Sequence, residues 1–248
     1  MASAAEERPV AVVAALSEEI RPLRHRLREV VAKQFGGYKV VTGRLGQAEL
    51  VLMVTGDGAQ RARAGLAKLL DSREVGAVMA IGIAGGLSPD LEAGSLVLAG
   101  RVTNGTGTVP PPDPVMMTRA RRLDGIKEGT VLSQAEIAID PVAKERLWQE
   151  SAKPTGLVVD LESASYARCA AERGIPYLVA RVVSDSHNET LPLDFNRFRR
   201  PDGSIDRGRI SRHVLLHPSL LPELMQLRER VQDCAVRLAD FVEGVLAR

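Results

Sequence analysis

The sequence predicts an α/β fold, a three-layer α/β/α sandwich on a mostly parallel central sheet, and three observations carry that expectation. Continuous apolar runs of strand length recur along the chain, the pattern of strands covered on both faces. Segments with apolar residues at helical spacing lie between them, so strands and helices alternate. No linker, internal repeat or low-complexity tract interrupts the 248 residues, which read as a single domain spanning 1–248.

The first apolar run, Val10 to Leu16, is too short for a helix and reads as a buried strand. Ile20, Leu23, Leu27 and Val30 then recur at helical spacing, behind Glu18 and Glu19 in the first turn, where the helix macrodipole favours negative charge. Tyr38 to Thr42 and Glu49 to Thr55 read as a hairpin with Gly43 and Gly46 in its turn region. Ala62, Leu66, Leu69 and Leu70 mark the next helix. Ala77 to Ile83 and Ser95 to Ala99 are further strands with a glycine-rich loop between them, and Thr103 to Pro114 is an irregular loop rich in Gly and Pro. A strand from Thr130 to Ile139 and a short helix from Pro141 to Glu150 follow. After a polar loop from Leu191 to Asp206, the apolar face Leu220, Leu224, Leu227, Val231, Leu238, Phe241 and Val245 suits a long terminal helix.

The segment richest in chemistry lies between. Leu157 to Ser165 carries Asp160 and Glu162 at the end of an apolar run, and Ala180 to Asp185 ends a second run about one helix later. Ala164 to Arg173 reads as that helix, closed by Gly174-Ile175-Pro176, so a right-handed crossover would set the two strands parallel. Two acids are then delivered to one crevice at the rim of the sheet, where open α/β sheets bind ligands. A Glu opening a helix can accept from two neighbouring hydroxyls. An Asp beside Val182 and Val183 can hold a proton, because desolvation disfavours the carboxylate.

Charge and composition narrow the function classes. Lys plus Arg number 33 against 31 Asp plus Glu, a balance that leaves no electrostatic footprint for nucleic acid. Aromatic residues make up 3%, too few for base-stacking platforms. The charged start Glu6-Glu7-Arg8 is unlike a secretory leader, and the longest apolar stretch, Val75 to Leu87, contains four glycines and falls short of a membrane span. Cys169 and Cys234 lack metal-ligand spacing and fall on expected helices, as core thiols of a reducing compartment do. His25, His187, His213 and His217 are not spaced as metal ligands either. The expectation is a cytoplasmic protein with a small-molecule partner and no integral membrane segment.

Leu157 to Ser165 and Val183-Ser184-Asp185 resemble the Val-Glu-Met-Glu and Ile-Ser-Asp motifs of the nucleoside phosphorylase and nucleosidase superfamily. Further matches run in order. Ala14-Ala15-Leu16-Ser17-Glu18-Glu19-Ile20 is similar to its first strand and acidic helix start, Thr55-Gly56-Asp57-Gly58 to its early Gly-x-Gly turn, and Gly82-Ile83-Ala84-Gly85-Gly86-Leu87 to its Gly-Ser-Ala-Gly-Gly-Leu loop. The resemblance implies a mixed, partly barrel-like sheet, a purine nucleoside as substrate and a homodimer or higher homo-oligomer. It implies that Asp185 protonates the purine at N7 with Ser184 orienting it, that Glu162 binds ribose hydroxyls, and that Glu19 orients the nucleophile. Ala15, Ile83, Ala84, Gly85, Ile137 and Leu161 would line the substrate site. No cofactor is implied, although phosphate is a possible co-substrate in place of water.

The pattern also departs from its relatives. Ala80 stands where hexameric purine nucleoside phosphorylases place a phosphate-binding Arg, Arg61 reads as a surface helix residue, Ile83 replaces a Ser, Leu161 a Met, and Ile137 lies near the place of a base-stacking Phe. Asp140 to Leu147, Pro201 to Asp206 and Leu216 to Leu224 resemble hopanoid-associated nucleoside phosphorylases. That looser likeness implies release of adenine from a 5′-substituted adenosine such as adenosylhopane. The alternatives are a methylthioadenosine/S-adenosylhomocysteine nucleosidase and a non-catalytic nucleoside-binding module on the same fold.

Overall fold

The computed structural model describes residues 8–107 and 109–247, so Glu6, Glu7 and Thr108 lie outside the described residues. The elements are β1 (Val10–Ala14), α1 (Ser17–Arg26), β2 (Arg28–Phe35), β3 (Tyr38–Leu45), β4 (Ala48–Val54), α2 (Ala59–Ser72), β5 (Ala77–Gly86) and β6 (Leu96–Thr103). They continue with α3 (Pro114–Ala120), β7 (Ile126–Ser133), α4 (Pro141–Glu150), β8 (Leu157–Asp160), α5 (Ser163–Ala171), β9 (Tyr177–Asp185), α6 (Arg207–Leu216) and α7 (Leu221–Leu246). None of these helices is long and apolar enough to cross a membrane.

The strands form one mixed sheet in the order β2-β3-β4-β1-β5-β8-β7-β6-β9, and a further β5–β9 pairing closes its second half into a barrel. β1 shows why both faces are covered. Ala11 and Val13 enter a core cluster with Leu66, Leu69, Tyr166 and Ala170 of α2 and α5, while Val12 and Ala14 enter another with Leu23 of α1 and Leu238 and Val242 of α7. This two-residue alternation between helical layers is the sandwich read from the sequence. Cys169 and Cys234 are free, buried thiols on α5 and α7.

Several local expectations are corrected. The first helix ends at Arg26; Glu29 adopts φ +53° beside a register shift, and the chain enters the edge strand β2, leaving Val30 43% exposed. Gly43 is inside β3 and the turn is Gly46-Gln47; a Cβ on Gly43 would meet the Arg28 carbonyl oxygen at 2.8 Å, so its role is close approach. The glycine-rich stretch from Gly82 to Gly86 is strand, not loop. The third-last strand ends at Ser133 rather than Ile139, and α3 and α6 were not foreseen.

The largest correction concerns direction. β8 pairs antiparallel with β5 while β9 pairs parallel with it, so β8 and β9 run in opposite senses with β5 between them. The crossover rule applies to strands joined as parallel members of one sheet. Here α5 instead carries the chain between two sides of a closing barrel, in which β6, β7 and β8 are mutually parallel and β6 returns antiparallel to β9.

Barrel closure demands one very close backbone approach. A Cβ built on Gly129 of β7 would lie 2.0 Å from the carbonyl oxygen of Gly156, just before β8. Gly129→Ala is therefore expected to destabilise the fold by about 2–3 kcal/mol through forced backbone displacement. Urea unfolding checks this: the midpoint should fall with an unchanged slope.

Candidate active site

A cavity of about 260 Å³ opens where the C-terminal ends of β1, β5, β8 and β9 converge, roofed by residues from 191–205 and by Leu227 and Val231 of α7. Every site residue expected from the sequence lines it: Glu19, Glu162 and Asp185 together with Ala15, Ile83, Ala84, Gly85, Ile137, Leu161 and Ser184. The structure thus brings together side chains spread over most of the chain.

Glu19 is at the third position of α1, and its carboxylate accepts from two backbone N–H groups, Leu16 at 2.8 Å through Oε2 and Ile83 at 2.9 Å through Oε1. The first bond caps the helix; the second ties it to β5. Burial pushes the Glu19 carboxyl up to about 7, against the opposing pull of those two N–H groups and of Arg181. Gly82 makes room for this arrangement, since a Cβ there would sit 2.8 Å from Glu19 Oε1 and 3.4 Å from the Arg181 guanidinium.

Glu162 precedes α5 and accepts at 2.6 Å from the N–H of Gly58, a residue held at φ +94°. Burial raises its carboxyl above the ordinary range, and the nearby Asp160 carboxylate raises it further. Behind it the Tyr166 hydroxyl and Thr55 Oγ1 lie 2.5 Å apart.

Asp185 owes its position to a β-bulge. Ala84 faces Val183 and Gly85 faces Asp185 across β5 and β9, leaving Ser184 as the extra residue. Regular alternation would send neighbouring side chains to opposite faces; the bulge lets both Ser184 and Asp185 line the cavity. The Ser184 hydroxyl donates to Asp185 Oδ1 at 2.6 Å, with the Ala84 carbonyl oxygen at 3.3 Å as a second neighbour.

Three further residues, Arg181, Lys144 and Asn196, support these three and were not expected from the sequence. Arg181 lies inside the buried strand β9, where its Nε–H donates to Asp160 Oδ2 at 2.8 Å and its guanidinium also donates to the carbonyl oxygens of Ala80 and Ala180. Asp160 in turn accepts from Ser133 Oγ at 2.6 Å and Ser163 Oγ at 2.5 Å. A cation within an apolar run was the available signal, because a buried charge requires a partner. Lys144 of α4 is wholly buried, with its ammonium 2.6 Å from Asp185 Oδ2. Asn196 clamps the backbone of Ile137, its Oδ1 accepting from the N–H and its Nδ2 donating to the carbonyl oxygen, both at 2.9 Å. Neither carried a sequence signal.

Other candidates fall elsewhere. Ala80 is in the core, and Arg61 pairs with Asp202 at 3.4 Å on the surface. His187 lies behind the site, with Nδ1 at 2.6 Å from the Leu87 carbonyl oxygen and Nε2 at 3.1 Å from Glu145.

A family model described as the phosphorylase superfamily matches residues 9–215. The chain is 28% identical over 218 residues to the 5′-methylthioadenosine/S-adenosylhomocysteine nucleosidase of Chromohalobacter salexigens, covering 77% of this chain and 90% of that one. A nucleosidase of the same name from Geobacillus thermodenitrificans is 28% identical over 210 residues, with 76% and 88% covered. Among solved structures, the Neisseria meningitidis nucleosidase of that name in complex with methylthio-immucillin-A superposes with a TM-score of 0.75 at 20% identity, covering 96% of this chain and 98% of that one. A futalosine hydrolase mutant of Helicobacter pylori gives 0.74 at 18%, covering 97% and 99%. At these identities the superpositions establish a shared fold.

Replacing Arg181 by Met leaves Asp160, Glu19 and Glu162 without their buried counter-charge. The expected loss is about 3–5 kcal/mol near pH 8. Glu19 and Glu162 sit above their ordinary values, so the folded state takes up protons at higher pH than the unfolded chain. The loss should therefore shrink as pH falls towards about 5, where the acids neutralise themselves. Urea unfolding at the two pH values measures the difference.

Proposed function

The chain belongs to the phosphorylase superfamily, and on that premise we propose that it hydrolyses the N-glycosidic bond of a purine nucleoside, releasing adenine. One observation carries the choice of water over phosphate. The ionisable side chains lining the cavity are Glu19, Asp57, Glu136, Asp160, Glu162 and Asp185, and among the described residues no Lys or Arg lines it. A phosphate anion needs a fork of charge-assisted donors and would meet like charge here. Water needs only a base. The names of the relatives, nucleosidases of methylthioadenosine and S-adenosylhomocysteine, support the same choice.

The residues divide the work by environment. Glu162, protonated more readily than an ordinary carboxyl, both donates and accepts, which suits a pair of ribose hydroxyls. Asp185, oriented by Ser184, faces the purine and gives N7 a proton, so that the base departs neutral rather than as an anion. Glu19 takes the proton of the attacking water, and its value near 7 is matched to that task. The small residues Ala84 and Gly85 let backbone lie against the sugar and base.

A second observation bears on the group at ribose C5. Leu191, Phe195, Ile205, Leu227 and Val231 form a half-buried apolar wall supplied by the C-terminal third of the chain. Such a wall gains roughly 25 cal/mol for each Å² of ligand surface it removes from water. It suits 5′-methylthioadenosine and extends to a bulkier hydrocarbon such as that of adenosylhopane.

Incubation with 5′-methylthioadenosine is expected to yield adenine and free methylthioribose at a rate unaffected by phosphate. Because Glu19 must be ionised to accept a proton, kcat/KM should rise with pH through about 7. Formation of a sugar 1-phosphate, or a rate proportional to phosphate, would count against hydrolysis.

Ranking kcat/KM for adenosine, methylthioadenosine and a long-chain 5′-alkyl adenosine tests the apolar wall. The long-chain substrate should exceed methylthioadenosine if the wall serves a hydrocarbon. A strong preference for methylthioadenosine restricts the enzyme to the smaller substituent.

A further inference from the structure

We propose that Lys144 acts through Asp185, positioning its carboxyl group and renewing the proton that Asp185 passes to the departing purine. The inference rests on the role assigned to Asp185 above. Lys144 has no solvent exposure, and its ammonium donates to the Ser186 carbonyl oxygen at 2.7 Å and the Glu189 carbonyl oxygen at 2.7 Å while lying 2.6 Å from Asp185 Oδ2. The two carbonyl oxygens follow Asp185 in the chain, so the lysine fixes the segment that leaves the β9 bulge. Its third contact falls on the reactive carboxyl group itself, off the line of an ideal hydrogen bond. Ser184 occupies the other oxygen, Oδ1.

The charged neighbours of this pair are engaged elsewhere. The Glu189 carboxylate accepts from Arg230 of α7 at 2.6 Å and from the Ser186 N–H at 3.1 Å. Glu145 faces His187 at 3.1 Å, and Asp140 caps α4 by accepting from the Ala143 N–H at 2.8 Å. Among the described residues Asp185 is the carboxylate facing the Lys144 ammonium. An ammonium so thoroughly removed from water needs a counter-charge, and a loop clamp alone would not require a cation.

The proton accounting closes. As the bond from C1′ to N9 breaks, its electron pair passes to the purine, and the Asp185 carboxylate relays a proton from the Lys144 ammonium to N7, itself returning to carboxylate while the lysine is left as an amine. The attacking water supplies oxygen to C1′ and one proton to Glu19. One proton is gained at Glu19 and one is lost at Lys144, and exchange with solvent in the emptied cavity resets both.

The test compares Lys144→Met, Lys144→Arg and Asp185→Asn on two substrates: 5′-methylthioadenosine, and 4-nitrophenyl riboside, whose leaving group departs as a stable anion and needs no proton. Asp185→Asn should lose about 10²–10⁴-fold in kcat on the adenine nucleoside and little on the riboside. If it does not, the reading of Asp185 fails and the lysine inference with it. Given that loss, Lys144→Met should lower kcat on methylthioadenosine about 10²-fold with KM little changed, and spare the riboside. Lys144→Arg keeps the charge but holds its protons too tightly to release one, so kcat should stay low. Should Lys144→Met not fold, as judged by circular dichroism, the arginine variant decides. Full activity in either folded variant, or equal losses on both substrates, overturns the proposal.

Discussion

Arg181 stands 2% exposed among Asp160, Glu19 and Glu162, and its guanidinium is the counter-charge that lets these acids be buried around one cavity. Its bond to Asp160 is only the nearest part of the arrangement. Asp160 draws in Ser133 from β7 and Ser163 from the start of α5, so the guanidinium holds three strands and a helix in register through a single carboxylate. Glu19 and Glu162 then remain partly uncompensated, which is why burial can raise both of them. Full compensation would have produced two ordinary salt bridges. Partial compensation leaves acids that exchange protons near neutrality.

Backbone irregularity supplies the remaining placement. β9 is buried along its whole length, and a regular strand would have turned Ser184 and Asp185 to opposite faces. The bulge opposite Ala84 and Gly85 aims both into the cavity, while the absence of a side chain at Gly82 admits Glu19 and Arg181 to the space beneath. Chemistry at this site therefore depends as much on where side chains are missing as on where they are present.

Much of this was legible in the sequence because the local signals agreed with the global ones. Apolar runs such as Val10 to Ala14 are buried strands, and the carboxylates following Val159 and Ser184 do meet at one crevice. What the sequence did not disclose is instructive. Val30 continued a helical spacing by chance, and only the backbone reversal at Glu29 made it an edge-strand residue. The antiparallel relation of β8 and β9 follows from barrel closure, a property of the whole sheet that no segment encodes by itself. Lys144 reads in sequence as one more cation on an amphipathic helix; its meaning lies in the loop that folds over it.

Glu19 completes the first turn of α1 and anchors that helix to β5, independently of anything done to a substrate. An evolutionary consequence follows. A descendant of this protein that abandoned hydrolysis to become a nucleoside sensor would still be selected to keep this glutamate, because discarding it unties a helix. Its persistence in a lineage would then report selection on folding as much as on turnover. Asp185 carries no helix-capping duty, but its loss would strand the buried Lys144 ammonium, so joint drift at these two positions is the clearer mark of a lineage in which chemistry has lapsed.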